Sequence, residues 1–230
     1  MNFEFNYFEL TISPKAVLFD MDGVLFDSMP NHAYAWSHAM TQFGLAMTRE
    51  EVYMNEGRTG SATINILAQR FWGREATEEE KQLIYEAKSK VFNTCPEAKP
   101  MPGALETLQA VKEKGLKIVL VTGSAQTSLL EKLERSYPGY FHQDLMVTGF
   151  DVTLGKPYPE PYLKGLQKAG IKPEEGIVIE NAPLGVQAGH AAGIYTIAAN
   201  TGPLADEVLK KAGADVVLPG MMDVAKFFSD

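Results

Sequence analysis

Short apolar runs rich in β-branched residues recur along the chain and alternate with amphipathic stretches. This alternation restricts the fold more than any other feature. The runs are Ala16-Val17-Leu18-Phe19, Ile118-Val119-Leu120-Val121, Leu145-Met146-Val147, Ile177-Val178-Ile179, Tyr195-Thr196-Ile197-Ala198 and Val216-Val217-Leu218. Each reads as a short strand, and Ala16 to Phe19 as one covered on both faces, the kind found in parallel sheets. Between them lie helical patterns at residues 104–114, 128–135, 159–169, 185–192 and 204–211, and Gly115, Gly170, Gly193 and Gly213 mark helix ends. The order predicts an α/β fold, a Rossmann-like doubly wound parallel sheet with right-handed crossovers.

The region from Asn31 to Pro100 breaks the alternation. It holds helical patterns and no good strand, with Pro30 before it and Pro96, Pro100 and Pro102 closing it. Thr48 with Glu51 and Thr77 with Glu80 fit capping boxes, and Leu83, Ala87 and Val91 recur as one face of a helix would. The expected organisation is a core of 15–29 plus 100–230, an α-helical cap domain at 30–99 and an N-terminal extension at 1–14 that could pack on the surface. Inserted just after the first core strand, the cap would lie over the crevice and could exclude water.

The chain has 230 residues, 45% of them hydrophobic, and a formal net charge of −8. This suits one large core with an insert and argues against a nucleic-acid binder. An anionic substrate remains compatible, because a local lysine and a divalent cation outweigh the global field. The single Cys95 allows no intrachain disulfide and suits a reducing cytoplasm. The first residues carry Glu4 and Glu9 and lack a basic start, so a secretory signal is not expected. No stretch approaches a membrane span. There is no Gly-x-Gly-x-x-Gly after the first strand, and no Gly-Lys-Thr phosphate loop.

Asp20 and Asp22 directly follow the first apolar run, in Phe19-Asp20-Met21-Asp22-Gly23-Val24. Carboxylates at the end of a buried strand must be desolvated, repelled by each other or compensated by a cation. Ligands of open α/β sheets bind beyond the carboxyl ends of the strands. Asp20 is placed to be a nucleophile, Asp22 to handle a proton, and Gly23 lets the backbone leave the strand sharply. Thr122, with Gly123 and Ser124, ends the second core run. Lys156 sits in Gly155-Lys156-Pro157, and Glu180 with Asn181 ends a later run. Singly, Thr122 reads as a strand end, Lys156 as a surface lysine and Glu180-Asn181 as a helix cap. Together they supply what phosphoryl transfer through an aspartyl-phosphate needs: a carboxylate nucleophile, ligands for a divalent cation, and a hydroxyl and an ammonium for the transferring oxygens.

These residues resemble the haloacid-dehalogenase-like phosphotransferase superfamily, whose pattern is Asp-x-Asp, then Thr or Ser, Lys and an acidic pair. The likeness runs from about Lys15 to the C-terminus. The helical insert after Asp27-Ser28, the string Gly155-Lys156-Pro157 and the string Glu180-Asn181-Ala182-Pro183-Leu184-Gly185-Val186-Gln187-Ala188 are similar to the β-phosphoglucomutase-like subgroup. The resemblance implies that Asp20 is phosphorylated and binds Mg²⁺. It implies that Asp22 acts as acid and then base and offers its carbonyl to the metal. Thr122 and Lys156 would bind the phosphoryl group, Glu180 and Asn181 would serve the metal, and Gly23, with Val24, fits the turn.

The family commonly has Asp where this chain has Asn181. An amide oxygen still suits Mg²⁺, but one negative charge is missing, and Glu56 in the cap string Asn55-Glu56-Gly57-Arg58-Thr59-Gly60 is the candidate to restore it; an ordinary solvated Glu is the alternative. Mutases carry an Arg in this loop for a second phosphate; here Arg58 is shifted by two positions, and Gly60 stands where that Arg is expected. His32 and Lys90 stand about where mutases have His and Lys. Ser124, Glu56, Arg58, His32 and Gly23 are the candidate substrate-binding residues. The expected activity is Mg²⁺-dependent hydrolysis of a small phosphorylated metabolite, a phosphate monoester or pyrophosphate. A β-phosphoglucomutase-type isomerase is the alternative, and a non-catalytic phosphate-binding module the minor one. The expected partner is that metabolite, with no nucleic acid and no membrane, and a monomer is the working expectation.

Overall fold

The computed structural model describes residues 5–7, 10–124 and 129–229. Strands β1 (Phe5–Tyr7) and β2 (Leu10–Ile12) pair antiparallel ahead of the core. The rest of the N-terminal extension, Met1 to Glu4 with Phe8 and Glu9, lies outside the described residues, and so does the expected start of a helix at Ser128. The main sheet is built from β3 (Ala16–Phe19), β4 (Lys117–Val121), β5 (Met146–Val147), β6 (Gly176–Glu180), β7 (Tyr195–Ala199) and β8 (Val216–Leu218). Its order is β5-β4-β3-β6-β7-β8 with every pair parallel. The helices are α1 (Met29–Thr41), α2 (Arg49–Met54), α3 (Gly60–Trp72), α4 (Glu78–Thr94), α5 (Ala104–Glu113), α6 (Leu129–Ser136), α7 (Glu160–Ala169), α8 (Pro183–Ala191), α9 (Asp206–Ala212) and α10 (Met221–Ser229).

The two-sided burial expected of Ala16 to Phe19 is what β3 shows, and its neighbours β4 and β6 share it, while the edge strand β8 is half-buried. On one face Val17, Phe19, Leu120, Ile177 and Ile179 pack with Leu108, Val111, Leu133 and Phe228. On the other, Ala16, Leu18, Val119, Val121 and Val178 pack with Tyr162, Leu166 and Ala188. Burying a side chain of this size stabilises by about 1.5–3 kcal/mol, so a run without polar alternation is stable only between two helical layers.

β3 is the centre of the sheet. The chain builds outward from it to β4 and β5, then returns to the other side for β6, β7 and β8. That reversal beside β3 is the topological switch where open α/β sheets bind ligands. Phe19 pairs with both Leu120 and Ile179, so the next residues, Asp20, Val121 and Glu180, emerge level at the carboxyl edge.

Helices α1 to α4 lie between β3 and α5 in the chain. The segments entering and leaving them run side by side. The Asp27 amide donates to Lys99 O at 2.9 Å and the Met101 amide to Leu25 O at 2.8 Å. The insert has its own core, with Trp36, Met40, Tyr53, Ile64, Leu67 and Ile84. Both capping boxes form, at Thr48 with Glu51 and at Thr77 with Glu80. The buried face of α4 differs from the expected one. Leu83 is 49% exposed, and Ile84 and Lys88 are buried instead. The four-residue spacing holds, but its phase shifts because the Lys88 stem lies under aromatic rings, and a hydropathy pattern scores lysine as polar.

The Arg74 guanidinium grips Glu80 with two bonds of 2.8 and 2.7 Å. That contact, with the Thr77 backbone, lowers Glu80 from its ordinary 4.5 to about 2. A carboxyl depressed in the folded state contributes stability that is full above 4.5 and is lost as pH falls toward 2. Glu80→Gln is therefore expected to lower the melting temperature at neutral pH and to flatten its fall between those values, as read by circular dichroism melts across acid pH.

Candidate active site

At the carboxyl edge of β3 and β6 the chain buries opposite charges together. Asp20 is 6% exposed, Lys156 6%, Glu180 1% and Asn181 3%. Lys156 Nζ donates to Asp20 Oδ1, to Glu180 Oε1 at 2.5 Å and to Val121 O at 3.5 Å. Burial opposes the Lys156 charge, but Asp20 and Glu180 outweigh it and hold the ammonium well above its usual range. Burial pushes Asp20 up to about 8 against the pull of Lys156, and Glu180 and Asp22 add to the rise.

Glu180 is held from both sides. The Tyr162 hydroxyl donates to Oε1 at 2.8 Å, and the amides of Asn181 and Ala182 donate to Oε2 at 3.0 and 3.2 Å. Those amides open α8, where backbone donors favour an anion. Tyr162 had no sequence signal as a site residue, because a tyrosine within an amphipathic helix reads as packing.

Asp22 lies on the next turn. Its Oδ1 accepts from Ser28 Oγ at 2.5 Å, and His32 Nε2 stands 3.7 Å away. Burial alone would raise Asp22; hydrogen bonding and charge from His32, together with Ser28, bring it down to about 2. Lys88 Nζ reaches His32 Nδ1 at 3.3 Å, while the rings of Trp36, Tyr85 and Phe92 surround the ammonium at 4.6 to 6.0 Å. The lysine beside His32 is thus Lys88, and Lys90 is exposed, which corrects the sequence reading by half a helical turn. Ser28 and Lys88 went unassigned because the insert's folding alone brings them to Asp22.

Gly23 adopts φ +85°, and a Cβ there would sit 2.1 Å from Asn181 Nδ2. Only glycine permits both that conformation and that approach. Thr122 is buried, and its Oγ1 accepts from the Ser124 amide at 3.1 Å, leaving its proton for a ligand. Arg58 is tied to its own loop, with Nε donating to Asn55 Oδ1 at 3.0 Å.

The insert delivers Glu56 to this edge. Asn181 Nδ2 donates to Glu56 Oε2 at 3.2 Å. Burial raises Glu56 well above its usual value, and Asp20, Glu180 and Asp22 add to it. Glu56 Oε1 and Asn181 Oδ1 are shut from solvent with no hydrogen-bond partner. Two carboxylates, Asp20 and Glu180, therefore bond one buried ammonium, and the contact between Glu56 and Asn181 leaves two orphaned oxygens. Among the described residues, no three carboxylate, imidazole or thiolate side chains converge as a ready cluster. The fit is to a cation that takes mixed oxygen donors and keeps several waters, as Mg²⁺ does.

Tyr162→Phe keeps the ring and removes one donor to a buried carboxylate. It is expected to cost about 1.5–3 kcal/mol of folding stability, measured by urea unfolding, with a matched Leu163→Ala change at a half-exposed position costing less.

Comparison with known proteins agrees with this geometry. Residues 14–193 match the family model described as haloacid dehalogenase-like hydrolase. A phosphorylated carbohydrates phosphatase from Thermotoga maritima is 35% identical over 87% of this chain and 92% of its own length. Hexitol phosphatase A from Escherichia coli is 31% identical over 81% and 83%. A solved structure from Bacteroides vulgatus, bearing a provisional beta-phosphoglucomutase name, is 58% identical with a TM-score of 0.90, covering 95% of this chain and 88% of that one. The parallel sheet, the buried carboxylates at its edge and these matches lead to one conclusion: the chain is an enzyme belonging to the haloacid dehalogenase-like hydrolase family.

Proposed function

We propose that the chain hydrolyses a small phosphorylated metabolite by passing its phosphoryl group through Asp20 to water. The observation that carries this reading is the buried Asp20–Lys156–Glu180 cluster closed by Glu56. A carboxylate oxygen of Asp20 attacks phosphorus, and the bond to the leaving oxygen breaks as that oxygen takes a proton from Asp22. Asp22 is ionised in the free protein and receives this proton from a substrate monoanion. Water then attacks phosphorus, Asp22 takes a proton from it, and the bond from phosphorus to Asp20 breaks to release phosphate. Lys156 and the Thr122 hydroxyl hold the transferring oxygens in place of water. Asp20, the Asp22 carbonyl, Glu180, Asn181 and Glu56 are the groups that would hold Mg²⁺. When bound, the ion would supply positive charge against the repulsion between carboxylate and phosphate.

Hydrolysis is favoured over isomerisation by the cap loop. Arg58 spends its Nε on Asn55, and a Cβ at Gly60 would meet the Tyr85 ring at 2.5 Å, so the position at which a mutase arginine is expected has no room for one without moving that ring. A compact, highly charged substrate such as pyrophosphate suits a loop that offers one acid, Glu56, and one arginine, Arg58. The Thermotoga and Escherichia relatives are named as phosphatases. The Bacteroides vulgatus name favours the mutase reading, and one assay panel separates the two.

Phosphate release from sugar phosphates and from pyrophosphate with Mg²⁺ is expected, and it should fall by at least about 10³-fold in Asp20→Asn, as when a nucleophile is lost. Interconversion of β-glucose 1-phosphate and glucose 6-phosphate with a bisphosphate activator, exceeding phosphate release, would overturn hydrolysis. Glu56→Gln is expected to raise the Mg²⁺ concentration for half-maximal rate by about 10-fold or more; an unchanged requirement removes Glu56 from the metal.

A further inference from the structure

Glu56 reaches Asn181 only if the insert closes to one fixed depth, and the core carries a seat for it. The seat is the loop 200–205 between β7 and α9. A Cβ on Gly202 would lie 2.6 Å from Tyr53 Cδ1 and 2.7 Å from Cε1, so the Tyr53 ring rests directly on the glycine backbone. Tyr53 is 3% exposed and sits on α2, three residues before Glu56. Leu204, 5% exposed, packs within the insert's own hydrophobic cluster. The same loop is tied to the catalytic turn, with Thr201 Oγ1 donating to Gly23 O at 2.7 Å. Gly23 in turn lies against Asn181. One loop therefore touches a chain neighbour of Glu56, Tyr53 on α2, and the turn residue Gly23 that lies against Asn181.

We infer that Tyr53, Gly202 and Leu204 are positioning residues that set the depth of cap closure and so place the Glu56 carboxylate at Asn181. Tyr53 and Leu204 are apolar contacts and make no bond to the reacting groups. Gly202 is needed here for close approach alone, since its φ is not in the left-handed region; an alanine there acts through the tyrosine ring. The inference rests on the assignment of Glu56 to the cation site, and the test separates the two.

Mg²⁺ binding is measured calorimetrically without substrate for wild type, Gly202→Ala, Glu56→Gln and the double variant. Amide hydrogen exchange over residues 52–58 is followed in metal-free protein. Gly202→Ala is expected to weaken Mg²⁺ binding by about tenfold and to speed exchange in that segment several-fold. Added to Glu56→Gln, it should weaken Mg²⁺ no further, because the seat acts only through that carboxylate. Leu204→Ala, which removes the anchor instead of adding bulk, should give the same pattern and serves if Gly202→Ala does not fold. Equal weakening with and without Glu56, or exchange unchanged by both variants, overturns the inference. A wild-type protein that takes up no Mg²⁺ refutes the cation assignment, and the exchange measurement then decides on the seat alone.

Discussion

The ammonium of Lys156 is the charge around which this edge of the sheet is organised. It is buried between Asp20 and Glu180, and a buried carboxylate without such a partner would give up its charge or unfold the strand end. Its pull is incomplete: Asp20 stays raised to about 8, and Glu56 is held well above its usual value. A site with more buried acid than base favours the uptake of positive charge, as a proton or as a cation.

The rest of the structure serves that arrangement. β3 lies at the switch point and carries the nucleophile candidate between two parallel neighbours, so Asp20 is held by a strand buried on both faces. α8 begins beside Glu180 and turns its first amides on it. The insert completes the site from the other side, because its entry and exit segments are bonded to each other and its cluster includes Leu204 of the core. Asn181 and Glu56 meet as a pair across the two parts, the amide of the core donating to the carboxyl of the cap.

Much of this was legible in the residues. The apolar runs named the strands, because a parallel sheet buried on both faces tolerates no polar alternation. Asp20, Asp22, Thr122, Lys156, Glu180 and Asn181 were legible because each ends a run or sits in a Gly- or Pro-marked turn, where a packing role is hard to sustain. Glu56 was legible from a deficit, the charge that Asn181 lacks. Tyr162 was not, since its ring is an ordinary core residue and only its hydroxyl reaches Glu180. Lys88 was missed in favour of Lys90, because which side of α4 faces inward depends on His32 and Trp36, distant in the chain.

By itself the sequence determined the class of fold, the edge at which chemistry gathers and the residue types there, since periodicity and strand-end polarity are local properties. The tertiary structure alone decided how the insert meets the core: that Glu56 lands on Asn181, that Ser28 and His32 flank Asp22, and that Tyr53 rests on Gly202. Those contacts join residues from about five to about 150 positions apart. Their geometry follows from the packing of two hydrophobic clusters against each other, which no local pattern encodes.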